Sequence, residues 1–144
     1  MATTPTILDT IDYSWMTKPP RHQLPQEGNF RRWLFVDQTG RVASATAMAL
    51  ATNIGINARA VGSNLNNCLQ PISFILIYWA EKIIFLDQVS YDQTVALLSE
   101  KHSNVLSTME AKSQVLNIPN TYSYMEYALQ ETIKQQLPDL AVIN

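Results

Sequence analysis

From residue 31 onward, apolar and polar positions fall into blocks that repeat in a regular order. Residues 33–37 form a short apolar run that ends in a carboxylate, which predicts a strand. Residues 42–53 are alanine-rich, with Val42, Ala45, Ala49 and Leu50 on one helical face. Residues 57–61 predict a weaker strand closed by Gly62. Residues 71–80 open on proline and carry Ile72, Ile75, Leu76 and Trp79 at helical spacing, which predicts a helix begun by Pro71. Residues 82–87 hold Ile83, Ile84, Phe85 and Leu86 in succession, the pattern of a strand buried on both faces. Ser90 and Gln93 suit a capping box for a helix running to about His102. Residues 113–116 predict a last strand. Residues 124–137 place Met125, Leu129, Ile133 and Leu137 four apart in a helix ended by Pro138.

The order β-α-β-α-β-α-β-α predicts an α/β fold. It is expected to be a small, doubly wound three-layer sandwich whose four-stranded parallel sheet has the order 2-1-3-4. In such sheets ligands bind beyond the carboxyl ends of the strands, where the order reverses. Asp37 ends the first strand and Asp87 the third. In this order the two strands are neighbours, so both carboxylates are expected on one rim. Residues 1–30 differ from the rest. They carry Pro5, Pro19, Pro20 and Pro25 with no sustained period, and predict an irregular arm ahead of a domain spanning 31–144. Tyr13, Trp15 and Met16 give that arm adhesive side chains, suited to packing on its own domain or docking on another subunit or protein.

Composition narrows the function. A net charge of −2, with Arg31, Arg32, Arg41 and Arg59 scattered, lacks the basic stripe of a nucleic-acid binder. The one cysteine, Cys68, has no intramolecular partner for a disulfide, and it points to a reducing, cytoplasmic setting as a partly buried structural thiol. His22 and His102 lack ligand spacing and no CxxC occurs, so no zinc site or other cofactor is expected. The run 72–80 is too short to span a bilayer, and Pro5 and Asp9 interrupt any signal-peptide core, so no membrane partner is expected.

The segment 32–47 reads as strand, tight loop and helix start. That geometry aims backbone N–H groups and a helix N-terminus at an anion. Four stretches then carry a family likeness. They are Leu34-Phe35-Val36 with the loop to Arg41 and Ser44, Arg59-Ala60-Val61-Gly62-Ser63-Asn64, Ile77-Tyr78-Trp79-Ala80-Glu81-Lys82-Ile83-Ile84-Phe85, and Leu116-Asn117-Ile118-Pro119-Asn120-Thr121-Tyr122-Ser123-Tyr124-Met125. Over roughly residues 32–137 the chain resembles the low-molecular-weight protein tyrosine phosphatase superfamily, in particular a compact bacterial branch of predicted phosphatases. The resemblance implies a mechanism with a cysteine nucleophile, an arginine six residues later that forks two phosphoryl oxygens, and an aspartic acid near the last motif that protonates the leaving group. Matched position by position, these fall on Asp37, Ala43, and Asn117 or Asn120, so all three groups are missing. Arg41 sits two residues early for the fork.

This pattern implies a degenerate phosphate loop and a catalytically inactive protein, a pseudophosphatase that binds another protein or itself. Asp37 is expected to act as an internal anion that fills the cradle. Rim residues expected to bind are Gln38, Thr39, Gly40, Arg41, Asn64, Tyr122 and Tyr124, with Asn117 and Asn120 beside them; Phe74 and Tyr78 are spare aromatics for a subunit contact. Arsenate reductases and cysteine-phosphorylated sugar-transport subunits share the layout but need a cysteine at the Asp37 position. The alternative is an aspartate-based, Mg²⁺-dependent phosphatase or phosphotransferase. Residues 35–40 also look like the Asp-x-Thr-Gly start of the haloacid-dehalogenase and P-type ATPase motif, with Asp37 as nucleophile and Asp87 as metal ligand. A third reading is a binder without chemistry, in which a neutral or cationic group docks at the loop; Asp37, Glu81 and Asp87 make up an acidic set.

Overall fold

The computed structural model describes residues 31–99 and 101–141. The predicted arm 1–30 and its docking role lie outside the described residues. Four parallel strands, β1 (Arg32–Asp37), β2 (Asn57–Gly62), β3 (Lys82–Phe85) and β4 (Ser113–Val115), form one sheet in the order β2-β1-β3-β4. Asp37 stands opposite Gly62 on β2, and Val36 opposite Phe85 on β3. Every residue of β1 is buried, as a central strand covered on both faces requires.

The side chains of β1 alternate between two cores. Trp33 and Phe35 pack with Ile84 beneath α1 (Ala43–Asn53) and α5 (Tyr127–Gln136). Leu34 and Val36 pack with Ile83 and Phe85 against α2 (Phe74–Trp79), α3 (Gln88–Leu98) and α4 (Ser103–Ala111). This is the expected three-layer sandwich. The buried residues of α1 are Ala43, Ser44, Thr46, Ala47 and Ala51; of the expected face, Val42 and Leu50 pack half-buried against the first core, and Ala45 and Ala49 are not among its members. Small side chains four apart let this helix lie close on the sheet.

Several boundaries differ from the sequence pattern for local reasons. Pro71 does not start α2. It is extended and bridges to Gly62, because Gly62 N–H donates to the Gln70 carbonyl and Ile72 N–H to the Gly62 carbonyl. The helix begins at Phe74, capped by the Ser73 hydroxyl, which accepts from Leu76 N–H at 3.3 Å. Phe74 and Tyr78, the aromatics expected to be spare for a subunit contact, are half-buried against the second core, with the Phe74 ring edge-on to His102 at 4.6 Å. The Ser90–Gln93 capping box does not form. Asp87 caps α3 instead, accepting from Ser90 N–H at 2.8 Å, while the Gln93 side chain accepts from the Ser63 hydroxyl at 2.6 Å. β3 accordingly stops at Phe85, although Leu86 N–H still donates to the Val36 carbonyl.

The chain also enters a helix absent from the sequence reading. α3 ends at Leu98, and α4 precedes β4 with Val105 and Met109 buried one turn apart. The last helix starts at Tyr127 rather than at 124, because Met125 takes a left-handed conformation (φ 61°). Thr46 Oγ1 accepts from Met125 N–H at 2.9 Å, and the Gln130 amide donates to its carbonyl at 2.8 Å. Leu129, Ile133 and Leu137 then fill the first core as expected. A short 3₁₀ turn, Pro138–Ala141, closes the described chain. Among the described residues, no helix is long and apolar enough to cross a membrane.

Candidate functional site

Asp37 ends β1 almost fully buried, at 7% exposure. A buried carboxylate needs donors, and the next seven residues supply them. Thr39 N–H donates to Oδ1 at 3.1 Å, and Gly40 N–H donates to the same oxygen. Ser44 N–H, in the first turn of α1, donates to Oδ2 at 2.9 Å. Gly40 makes this possible with a left-handed φ of 72°. The residue before α1, Val42, offers no capping side chain, and the first turn has no acid of its own. Asp37 therefore takes the place of the helix cap from the preceding strand. The Ser44 hydroxyl, fully buried under the loop, has no hydrogen-bond partner among the described residues.

The loop's carbonyls turn the other way. Ser63 N–H donates to the Asp37 carbonyl, Asn64 N–H to Gln38 and Leu69 N–H to Thr39. The loop is thus clamped between its own carboxylate and the turn after β2. Gly62 is the contact point. A Cβ there would lie 2.9 Å from the Gln38 carbonyl oxygen and 2.4 Å from the Cys68 Cβ, so glycine is required. Cys68 is half-buried in this packing.

A cleft of about 230 Å³ opens beside the loop at the carboxyl end of the sheet. Of the residues singled out from sequence, Asp37, Gln38, Thr39, Ala43, Asp87, Asn120 and Tyr122 line it. The two carboxylates do share one rim, as the strand order requires. The remaining candidates lie off the lining. Arg41 is exposed and directs its guanidinium to Asn67 Oδ1 at 3.1 Å. Gly40 is buried in the loop, and Asn64 binds the turn after β2, accepting from Asn66 N–H with its side chain. Asn117 is held through its backbone by the Gln136 amide group, with bonds of 2.6 and 2.8 Å. Tyr124 is 57% exposed. Glu81 is at the opposite end of the sheet, beside Arg32, so the acidic set does not converge. Among the described residues, no three of His, Cys, Asp and Glu gather as a metal site.

Sequence reasoning missed the apolar wall of the cleft: Val42, Leu86, Ile118, Pro119 and Leu129. The signal was present in Ile118 and Pro119, inside the turn already singled out, and in Leu86 next to Asp87. Tyr122 joins this wall, and its hydroxyl lies 3.3 Å from Thr132 Oγ1.

The architecture matches that of a solved enzyme, the YwlE arginine phosphatase from Geobacillus stearothermophilus. The TM-score is 0.56 at 13% identity, over 77% of this chain and 88% of that one. The fold is phosphatase-like. At this identity the likeness establishes the shared α/β fold and nothing finer. No protein-family model and no curated protein matches the sequence.

Proposed function

We propose that this protein keeps a phosphatase-like fold without phosphatase chemistry and works as a binding or regulatory module, engaging another protein or a second copy of itself. The observation that carries this reading is the Asp37 carboxylate inside the loop, accepting from Thr39, Gly40 and Ser44 N–H. A phosphate dianion needs those same donors. Asp37 adds repulsion of about 4 kcal/mol per pair of unit charges at ~4 Å and an effective dielectric of 20. Ala43 offers a methyl group where the resemblance places a guanidinium fork. Asn117 and Asn120 have no ionisable proton to give a leaving group.

The second reading, an aspartate-based phosphotransferase, draws on one observation: Asp37 and Asp87 line the same cleft. Against it, both oxygens of Asp37 already accept backbone N–H bonds, and Asp87 Oδ1 caps α3. Hydrolysis of p-nitrophenyl phosphate with and without Mg²⁺ separates the two. The expected outcome is no turnover in either condition. Metal-dependent turnover that vanishes in a folded Asp37→Asn variant overturns the binding-module reading.

A further inference from the structure

The cleft's charge points to the chemistry of its occupant. Among the described residues, its lining contains two carboxylates, Asp37 and Asp87, and no lysine, arginine or histidine. Asp87 uses Oδ1 to cap α3, and its Oδ2 takes no hydrogen bond from any described residue. Arg41, the cation nearest in sequence to the loop, is committed to Asn67 on the turn after β2. Backbone N–H groups bind these carboxylates, but no cationic side chain among the described lining residues pairs with them. Around it, Leu86, Ile118, Pro119 and Leu129 form an apolar wall that lowers the local dielectric and strengthens any charge pairing made there. The volume of about 230 Å³ falls below the roughly 300–1,000 Å³ of pockets that hold whole small molecules. It suits one long side chain.

We infer that this cleft receives the arginine side chain of a partner polypeptide, with Asp87 as its main charge partner and the apolar wall against its aliphatic stem. This rests on the binding-module reading above and names the partner chemistry for the same site. Arginine fits better than lysine because a guanidinium is more weakly hydrated, is planar beside Tyr122, and carries several donors for the carboxylate and the Asn120 amide. Inorganic phosphate and phosphorylated side chains are the wrong sign for this lining. Tyr124 and Tyr127, exposed at 57% and 69% on the segment that follows Tyr122, offer aromatic surface to the rest of the partner chain.

The test titrates the full-length protein with N-acetyl-arginine amide and, in parallel, with its neutral isostere N-acetyl-citrulline amide, following backbone amide resonances. The arginine probe is expected to move the resonances of Gln38, Asp87 and Asn120 and to bind at least about tenfold more tightly than the citrulline probe. Asp87→Asn keeps a good helix cap and is expected to remove that preference with the fold intact. Equal binding of the two probes, no shift with either, or shifts of the same resonances by inorganic phosphate overturns the inference. Lost arginine binding in a protein that still shows no phosphatase turnover defeats this inference alone. Turnover of p-nitrophenyl phosphate defeats the binding-module reading, whatever the probes do.

Discussion

At the carboxyl end of the sheet the buried charge is negative and its partners are backbone N–H groups. At the amino end it is positive and its partners are backbone carbonyls. Asp37 and Asp87 take the N–H groups of Thr39, Gly40, Ser44 and Ser90. Arg32 Nε donates to the Trp79 carbonyl at 2.7 Å, and Lys112 Nζ donates to the carbonyls of Ala80 and Tyr78. Helices in this fold start at the carboxyl end and finish at the amino end. Their unpaired N–H groups therefore collect at one end and their unpaired carbonyls at the other. The sign of each buried charge follows from that polarity. Asp37 is therefore no stronger a sign of a metal than Arg32 is of a phosphate.

The ends differ in what is left over. Around Arg32 the charges are offset: Glu81 accepts from Arg32 N–H at 3.1 Å, Lys82 lies over the Trp33 ring near Asp139, and Arg59 lies over Trp79. Among the described residues, the charged side chains of the cleft lining at the other end are carboxylates alone. That difference is why the proposed arginine contact is placed at the carboxyl end.

Substitutions test this contrast, beginning with the largest effect. Asp37→Ala strips three N–H groups of their acceptor and should lower stability by about 2–4 kcal/mol, read from the urea midpoint at constant slope. A stability unchanged from the natural protein would mean the carboxylate does not hold the loop. Arg32→Met keeps the buried stem and deletes the guanidinium. The expected loss is about 1–3 kcal/mol. It should be the smaller of the two, because Glu81 is half-exposed and water can take over its carboxylate. A larger loss than for Asp37→Ala would reverse the ranking of the two ends. The smallest effect concerns pH. Burial, then the nearby Arg32 guanidinium, pushes the Lys112 ammonium down from the usual 10.5 to about 8, against a weaker opposing pull from Glu81. Between those pH values the unfolded chain holds a proton that the folded chain has released, so this group makes stability rise with pH. Lys112→Met should flatten that rise in thermal melts taken from pH 8 to 10.5; an unchanged slope would assign it to other groups.

Much of the frame is legible in the sequence because a parallel sheet writes itself as continuous apolar runs. Residues 33–36 and 83–86 stand out in that way, and their alternation with helices leads to the strand order. Asp37 as an internal acceptor is legible too, since a carboxylate before a glycine-containing turn and a helix start has few other partners. What was illegible is local competition. Asp87 and Ser90 are both good caps three residues apart, and only the buried position of Ser90 decides for Asp87. α4 shows just Val105, Leu106 and Met109 against a polar background, too sparse a stripe to stand out. The apolar wall of the cleft comes from four separate segments that no spacing rule connects.

The order β2-β1-β3-β4 also bears on how the chain is made. β1 leaves the ribosome before either of its neighbours, yet both of its faces and both of its edges are covered in the finished protein. Until Phe85 has emerged to pair beside Val36, the run Trp33 to Val36 has only β2 to pair with, and its other edge stays open on the nascent chain. A pause in synthesis between those strands therefore lengthens the time that this apolar edge is open to wrong partners.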